Sequence, residues 1–547
     1  MPATTPHYLD HAANGRLRPV ARQAWLDAAQ HPGNPSAVNA AGRAARRIVE
    51  SARETIADLL SVNPTTITFT SGGTEADNLA LIGGARAARC ADPDRRLIMT
   101  SPLEHHAVLG AAHQLVDEGF ELILTPLTEA GRINTAAAAD LIRLEADHLA
   151  LVSVISVNNE TGIIQPVDRL AAAAAQAGVG FHSDRVQDPL GLAACFSQAD
   201  KKDPNPAARW SGNGRTAFDQ TETAASKNSA ARRSTTKQLF RPDVCQPQTA
   251  FSLSAHKLGG PMGIGALVWP SQWPLTAINY GGGQENRHRS GTIPTPLVAA
   301  FAAAFAELAE QQSSEMARLQ ALQDRLTELL DGVGAVIIGR ELPRSPAITY
   351  ALFPGLIGQD LMVLLDQAGL SVSTGAACTA GVPQASEGLM ALGLTQTEAL
   401  SGLRFSFGWD SSMDDLAALE EALPVLVARL RQATRPDSTA TALPPLHRPA
   451  SVGTNTPAAA NSLDSGSPAT SPGSGNHQVR AASLAANTSA QSPAPVQIGD
   501  DSSGSPTQPA CAYPDTPVTP GSLDTSPTCD PTPPALDSPS STSAAGN

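Results

Sequence analysis

The chain has 547 residues, 16% of them charged and 4% aromatic, with a formal net charge of −14 at pH 7. That balance argues against direct nucleic-acid binding and against an anionic-membrane binder, and the six cysteines, which form no C-x-x-C pair, argue against a zinc site or a disulfide framework. Neither an apolar signal core before Asp10 nor an apolar run long enough to span a bilayer occurs, so a cytoplasmic, reducing location is expected, in which a free and reactive thiol can persist.

Taken in order, His31-Pro32-Gly33-Asn34-Pro35-Ser36 is a turn-rich loop and Ala40 to Leu60 has helical periodicity. Asn63-Pro64 ends that helix, Thr66 to Thr70 reads as a strand, and Ser71-Gly72-Gly73-Thr74 opens a helix predicted from Glu75 to Arg89. Leu97 to Thr100 is a strand, followed by Glu104-His105-His106 and a helix near Val108 to Gly119. Strands follow at Leu122 to Thr125 and Leu149 to Val157, the second running into Asn158-Asn159-Glu160-Thr161-Gly162. Then come a helix from Val167 to Ala177 and a strand from Val179 to Asp184. This alternation predicts an α/β fold with a mostly parallel sheet covered on both faces. Ligands of such sheets bind beyond the carboxyl ends of the strands, where these polar residues lie.

Residues 195–247 interrupt the rhythm, with Lys201, Lys202, Arg209, Arg215, Arg232, Arg233 and Lys237 scattered among Ser, Asn, Pro and Thr. They read as an inserted surface loop. Pattern returns at Ala250 to Lys257 and Ile264 to Val268, a long helix is predicted from Thr295 to Leu330, and short elements over 335–432 suggest a smaller α/β domain. After Arg435 the chain consists mainly of Ser, Thr, Pro, Ala and Gly, with Tyr513 as its one aromatic residue and no lysine or glutamate. Such a tail cannot bury enough apolar surface to offset its conformational entropy, so disorder is expected there. The expected organisation is a large domain over 13–294, a small domain from 1–12 and 295–432, and a disordered tail over 435–547.

Several residues suit one chemistry. Lys257 ends an apolar strand in Ser254-Ala255-His256-Lys257. A strand-end lysine alone more commonly reaches out to water, but a partly neutral amine there could attack an aldehyde. The free N–H groups of the helix opened by Gly73 and Thr74, with the Thr74 hydroxyl, could bind a phosphate. Asp184 ends a buried strand and needs a partner, which a pyridinium nitrogen would supply; a salt bridge or helix cap would serve equally. His105 could stack on an aromatic ring, and Arg404, in a strand of alternating pattern, suits a carboxylate. Cys378 lies in Ser373-Thr374-Gly375-Ala376-Ala377-Cys378-Thr379-Ala380-Gly381, a run with little to bury. Its thiol is therefore better placed for reactivity than for packing.

These stretches, together with Tyr8-Leu9-Asp10, Gly33-Asn34-Pro35-Ser36, Phe69 to Asn78, Glu104 to Val108, Val157 to Gly162, Arg289-Ser290-Gly291-Thr292 and Leu403-Arg404-Phe405-Ser406, resemble in order the cysteine desulfurases of the NifS/IscS type, in the class-V branch of fold-type I pyridoxal-phosphate enzymes. The resemblance implies a seven-stranded-type sheet, pyridoxal 5'-phosphate as cofactor, and transfer of sulfur from L-cysteine to Cys378 with release of L-alanine. Lys257 would join the coenzyme covalently and move the Cα proton, and His105 would stack on its ring and assist proton transfer as a catalytic residue. Asp184 would pair with the ring nitrogen, Gln187 with the phenolic oxygen, and Asn159 would bind near that oxygen and the substrate. Thr74, Ser254 and His256 would hold the phosphate, lined by Gly73 and Ala255. Thr292 would reach the partner subunit's phosphate in a homodimer, and Arg404 would bind the substrate carboxylate.

The sulfur would pass on to an acceptor protein, such as an iron–sulfur scaffold or a tRNA-thiolation protein. Thiolates bind iron, so Cys378 is also a candidate transient ligand of an iron–sulfur cluster, although no second ligand cysteine lies nearby. Three features depart from the family pattern: Arg185 directly after Asp184, Asn39 where many members have histidine, and the long separation of Asp184 from Lys257. Arg185 and the insertion are expected either to be accommodated or to spoil the site. Two other readings therefore stand beside the desulfurase: a selenocysteine lyase or other class-V enzyme, and a non-catalytic scaffold for sulfur-acceptor proteins.

Overall fold

Ile67–Thr70, Leu97–Thr100 and Thr249–Ser254 are buried along their whole lengths, as strands are when a sheet is covered on both faces. The computed structural model describes residues 7–194, 249–375 and 384–433. The expected insertion over 195–247, the expected tail over 435–547 and Cys378 lie outside the described residues.

The strands are β1 (His7–Tyr8), β2 (Ile67–Thr70), β3 (Leu97–Thr100), β4 (Glu121–Leu124), β5 (Leu149–Ser153), β6 (Phe181–Asp184), β7 (Thr249–Ser254), β8 (Gly265–Val268), β9 (Val336–Ile337), β10 (Ile348–Leu352), β11 (Leu370–Ser371) and β12 (Gly402–Ser406). Seven of them form the main sheet in the order β2-β8-β7-β6-β5-β3-β4. β4, β3, β5, β6 and β7 run parallel to one another, and β8 runs antiparallel to both β7 and β2. This is the mostly parallel sheet expected. A second, antiparallel sheet has the order β12-β10-β9, and β1 pairs in parallel with β11. The first described residues therefore sit beside strands made some 360 residues later, with His7 opposite Leu370.

Helix boundaries follow local chemistry. Ala40–Leu60 starts at Asn39, whose side chain accepts the Gly42 N–H, an N-cap role that accounts for the residue at this departure from the family pattern. The helix expected over Glu75 to Arg89 begins earlier, at Gly73, and reaches Ala91 through one π turn, Leu79–Gly83. The chain packs closely just after that turn: a Cβ on Gly84 would stand 2.6 Å from the Trp269 ring. The strand expected over Leu149 to Val157 stops at Ser153. Val154 and Ser156 still donate to the carbonyls of His182 and Asp184, and Val157 then pairs with Ile164 to close the Asn158 to Gly162 loop.

Thr295–Gly332 is a single helix of 38 residues. Its Phe301, Phe305, Leu322 and Leu326 join Phe69 and Phe251 of the main sheet, Phe353 just after β10 and Phe405 of β12 in one apolar cluster. Two buried arginines brace this core. Arg53 forms a two-pronged pair with Glu285, at 2.9 and 2.6 Å, and Glu285 also accepts the Phe69 N–H of β2. Arg18 donates to Glu315, Glu307 and the Leu258 carbonyl, one residue beyond Lys257.

Candidate active site

A cleft of about 390 Å³ opens at the carboxyl ends of the central strands. Ten of the residues singled out in the sequence line it: Gly73, Thr74, His105, Asn159, Asp184, Gln187, Ser254, His256, Lys257 and Arg404. Ala255, the first residue of the turn that carries Lys257, is fully buried and does not line the cleft. Thr292 is exposed and away from it. Cys378 lies outside the described residues, but Ser373 and Gly375, the beginning of its run, are part of the cleft wall.

Lys257 follows β7 in a short 3-10 turn, Ala255–Lys257. Its Nζ donates to the carbonyls of Ala12 (2.6 Å) and Ala13 (2.8 Å). Burial, reinforced by the positive charge of Arg404, pushes the amine down to about 8, with Asp10 and Asp184 opposing the shift. A sizeable neutral fraction near pH 8 is what an aldehyde-capturing amine requires.

Asp184, at the end of β6, is 4% exposed, and its Oδ1 accepts the Val186 N–H at 2.9 Å. Burial pushes its carboxyl up to about 6, and Lys257 pulls the other way. A cation beside it would relieve that burial. Beneath it lie residues that spacing had not revealed. Asp77 lines the cleft with its Oδ1 buried and unpartnered, 3.7 Å from His182 Nε2, and its carboxyl is raised by burial and by the charge of Asp184. His182 bridges Ser153 and Ser252 at 2.9 Å each, and burial lowers it to about 3. Asp77 stands one helical turn beyond Gly73, so the helix itself was the signal.

His105 is the N-cap of His106–Asp117, its Nδ1 accepting the Ala107 N–H, and burial lowers it to about 4, so its ring is neutral. Gln187 donates to the Ala12 carbonyl at 2.8 Å. Arg404, in β12, donates to Asp10 (2.9 Å) and to the Asn159 carbonyl (2.8 Å). Glu160, also missed in the sequence, lines the cleft and accepts the Ser386 hydroxyl at 2.6 Å.

The cradle opposite has the character of an anion site. Gly72, the N-cap of Gly73–Asn78, offers no side chain to the first-turn N–H groups. Gly73 packs so tightly that a Cβ would stand 2.6 Å from Val186. The Ser254 hydroxyl meets His256 Nδ1 at 3.0 Å on the same wall. Free N–H groups, a glycine, hydroxyls and an imidazole fit a phosphate, and the buried Asp184 carboxyl fits a protonated ring nitrogen. A phosphorylated pyridine aldehyde joined to Lys257 suits this donor set.

Arg185 does not disturb Asp184. Successive side chains alternate across a strand, and its guanidinium lies 3.6 Å from Asp188 and 3.8 Å from Asp168, near the Phe251 ring. The long separation of Asp184 from Lys257 is equally harmless: β6 and β7 pair in parallel with Asp184 opposite Ser252.

Residues 7–197 and 241–419 match the family model described as aminotransferase class-V. An IscS-like cysteine desulfurase of Mycobacterium tuberculosis (strain ATCC 25618 / H37Rv) is 36% identical over 78% of this chain and 97% of its own length. A cysteine desulfurase of Cereibacter sphaeroides is 34% identical over 78% and 96%. Among solved structures, a NifS-like protein superposes with a TM-score of 0.63 at 26% identity, covering 78% of this chain and all of that one. DndA from Streptomyces lividans gives 0.55 at 31% identity, over 73% and 99%.

Proposed function

Because this chain belongs to the class-V aminotransferase family, and within it to the cysteine desulfurases, we propose that it takes sulfur from L-cysteine and leaves L-alanine, with Lys257, Asp184 and Arg404 as the centre of the site. The observation that carries this reading is their convergence. One cleft brings together an amine lowered to about 8, a buried carboxyl raised to about 6 and a guanidinium. The enzyme depends on pyridoxal 5'-phosphate.

When bound, that coenzyme supplies an aldehyde that captures amines and a ring that withdraws electrons from the substrate Cα. Gly73, Thr74, Ser254 and His256 would hold its phosphate, Asp184 its ring nitrogen and Gln187 its phenolic oxygen, with Asn159 beside that oxygen and the neutral His105 ring stacked on its face. Arg404 receives the substrate carboxylate, orienting the Cα hydrogen towards Lys257. Lys257 Nζ takes that proton and later returns one to carbon. The Cys378 thiolate attacks the substrate sulfur; the carbon–sulfur bond breaks with its electron pair going to Cβ, which takes up the proton that the substrate thiol gives up, a sulfur–sulfur bond forms, and a persulfide remains on Cys378.

Thr292, exposed and away from the cleft, suits contact with a second subunit's phosphate in a homodimer. A sulfur-acceptor protein, of the iron–sulfur scaffold or tRNA-thiolation kind, would then collect the sulfur. A transient cluster on Cys378 is the weaker extension, since no second cysteine lies near it in the sequence; among the described residues no group of three or more His, Cys, Asp and Glu is placed to hold a metal. Among those residues no helix is long and apolar enough to cross a membrane. The scaffold reading loses its support, because Arg185 and the insertion leave β6, β7 and the cleft intact.

Equimolar alanine and bound sulfane sulfur from L-cysteine test the proposal. Purified protein reconstituted with pyridoxal phosphate should release both. Failure to release alanine, with the coenzyme visibly bound, would overturn it, and a strong preference for selenocysteine would favour the lyase.

A further inference from the structure

Apart from its field on the Lys257 amine, Asp10 has been given no part in the chemistry above, yet it is the acid paired with Arg404. Its Oδ1 accepts from Nη2 at 2.9 Å, while Nη1 donates to the Asn159 carbonyl at 2.8 Å. The third nitrogen, Nε, is buried and has no hydrogen-bond partner, and the arginine as a whole is only 5% exposed. Arg404 lines the cleft; Asp10 does not. Asp10 is itself rigid. Its backbone bridges Ser406 in β12, the flanking Leu9 exchanges N–H and carbonyl bonds with Ser371 and Ser406, and its own carbonyl accepts the Ala13 and Asn14 N–H groups.

We infer that Asp10 is the positioning residue for substrate recognition: by tethering one terminal nitrogen of Arg404 it fixes the plane of the guanidinium and leaves the remaining N–H groups of the two terminal nitrogens free for an α-carboxylate. The inference rests on the assignment of Arg404 as the carboxylate-binding residue. Guanidinium carries five N–H donors in a planar fork, and the two contacts described use two of them. An incoming carboxylate therefore need not displace Asp10. A long side chain held at one end loses less freedom when it binds. Holding from a fixed backbone outweighs the partial neutralisation of the cation, because the ligand donors stay unspent. Asp10 thus acts through Arg404 and touches neither coenzyme nor substrate.

The test uses holoenzyme carrying Asp10→Ala, Asp10→Asn or Arg404→Gln, with bound coenzyme absorbance as the check on folding. Two probes are titrated through the change in that absorbance: L-alanine, which carries the carboxylate, and ethylamine, which lacks it. Asp10→Ala should weaken L-alanine about 10-fold, the order expected for loss of one orienting charge-assisted bond, and leave ethylamine unchanged. KM for L-cysteine should rise in step while kcat stays within about 2-fold. Asp10→Asn, which keeps an acceptor oxygen, should recover much of the loss. Unchanged or tighter L-alanine binding in Asp10→Ala, with Arg404→Gln weakened, sinks the role of Asp10 alone. An unweakened Arg404→Gln removes the carboxylate assignment itself and the inference with it.

Discussion

The carbonyl of Ala12 accepts hydrogen bonds from both Lys257 Nζ, at 2.6 Å, and Gln187, at 2.8 Å. A single backbone oxygen from the first described segment therefore sets the spacing between the amine-bearing turn after β7 and the loop after β6. The same segment binds the lysine turn a second time, through the Gly15 N–H on the His256 carbonyl.

Lys257→Ala should abolish turnover, with a loss of at least about 1,000-fold, the scale for removing a nucleophile that also transfers a proton. Phosphate contacts persist, so coenzyme should still bind reversibly while the absorbance of its lysine-linked form disappears. Retention of that absorbance on dialysis would locate the covalent link elsewhere.

Cys378→Ala should lose alanine formation from L-cysteine yet keep full coenzyme absorbance and the spectral response to L-alanine. Alkylation mapping of wild-type protein after a single addition of cysteine should find the extra sulfur on Cys378. Sulfane sulfur on another cysteine would reassign the acceptor.

Asp184→Asn removes the charge that, in the role proposed for Asp184, keeps a ring nitrogen protonated. Activity should fall about 100-fold or more, and coenzyme should be released faster, because a buried charge-assisted bond becomes a neutral one. Measured retention after gel filtration distinguishes this from a purely catalytic defect.

Cofactor-stripped protein should become more stable as pH rises from about 8 towards 10.5. In that window Lys257, lowered from 10.5 to about 8 chiefly by burial, has lost its proton in the folded state but keeps it unfolded. The unfolded chain then binds more protons, so raising pH favours folding, by up to roughly 3 kcal/mol. Asp184, raised from 3.8 to about 6, works in the opposite sense: its contribution is complete at low pH and is lost as pH rises through 6. Denaturation midpoints of stripped wild type and Lys257→Met across pH 8 to 10.5 check the first effect; parallel curves would refute it.

Glu285→Gln should destabilise the protein by about 3 kcal/mol, because it leaves the buried Arg53 facing an amide, with the exposed Glu50 as its remaining anion. The same change weakens the brace on the Phe69 N–H of β2. Thermal denaturation of the coenzyme-loaded protein measures it.

Much of this architecture was legible in the sequence because the informative residues sit at strand ends. Asp184, Lys257 and the Gly73 turn each follow an apolar run, and local pattern places them at one edge of a parallel sheet. Three things were not legible. The reversed direction of β8 leaves no periodic trace, since a fully buried strand reads the same either way. Asp77 and Glu160 belong to the cleft only because a helix and a loop turn them inward. The orientation of Arg185 was obscure because its bulk suggested conflict, whereas alternation along the chain sends it to the far side of β6, towards Asp168 and Asp188.

The Asp10–Arg404 pair spans 394 residues of sequence. On the ribosome, β1 is made early and must wait, unpaired, until β11 and β12 emerge. At synthesis rates of about 5–20 residues per second, that delay is on the order of 20 to 80 seconds. The residues of the phosphate cradle are all made by His256, 148 residues before Arg404, so with the role proposed for Arg404 the carboxylate site is completed later than the cradle, near the end of synthesis of the folded region.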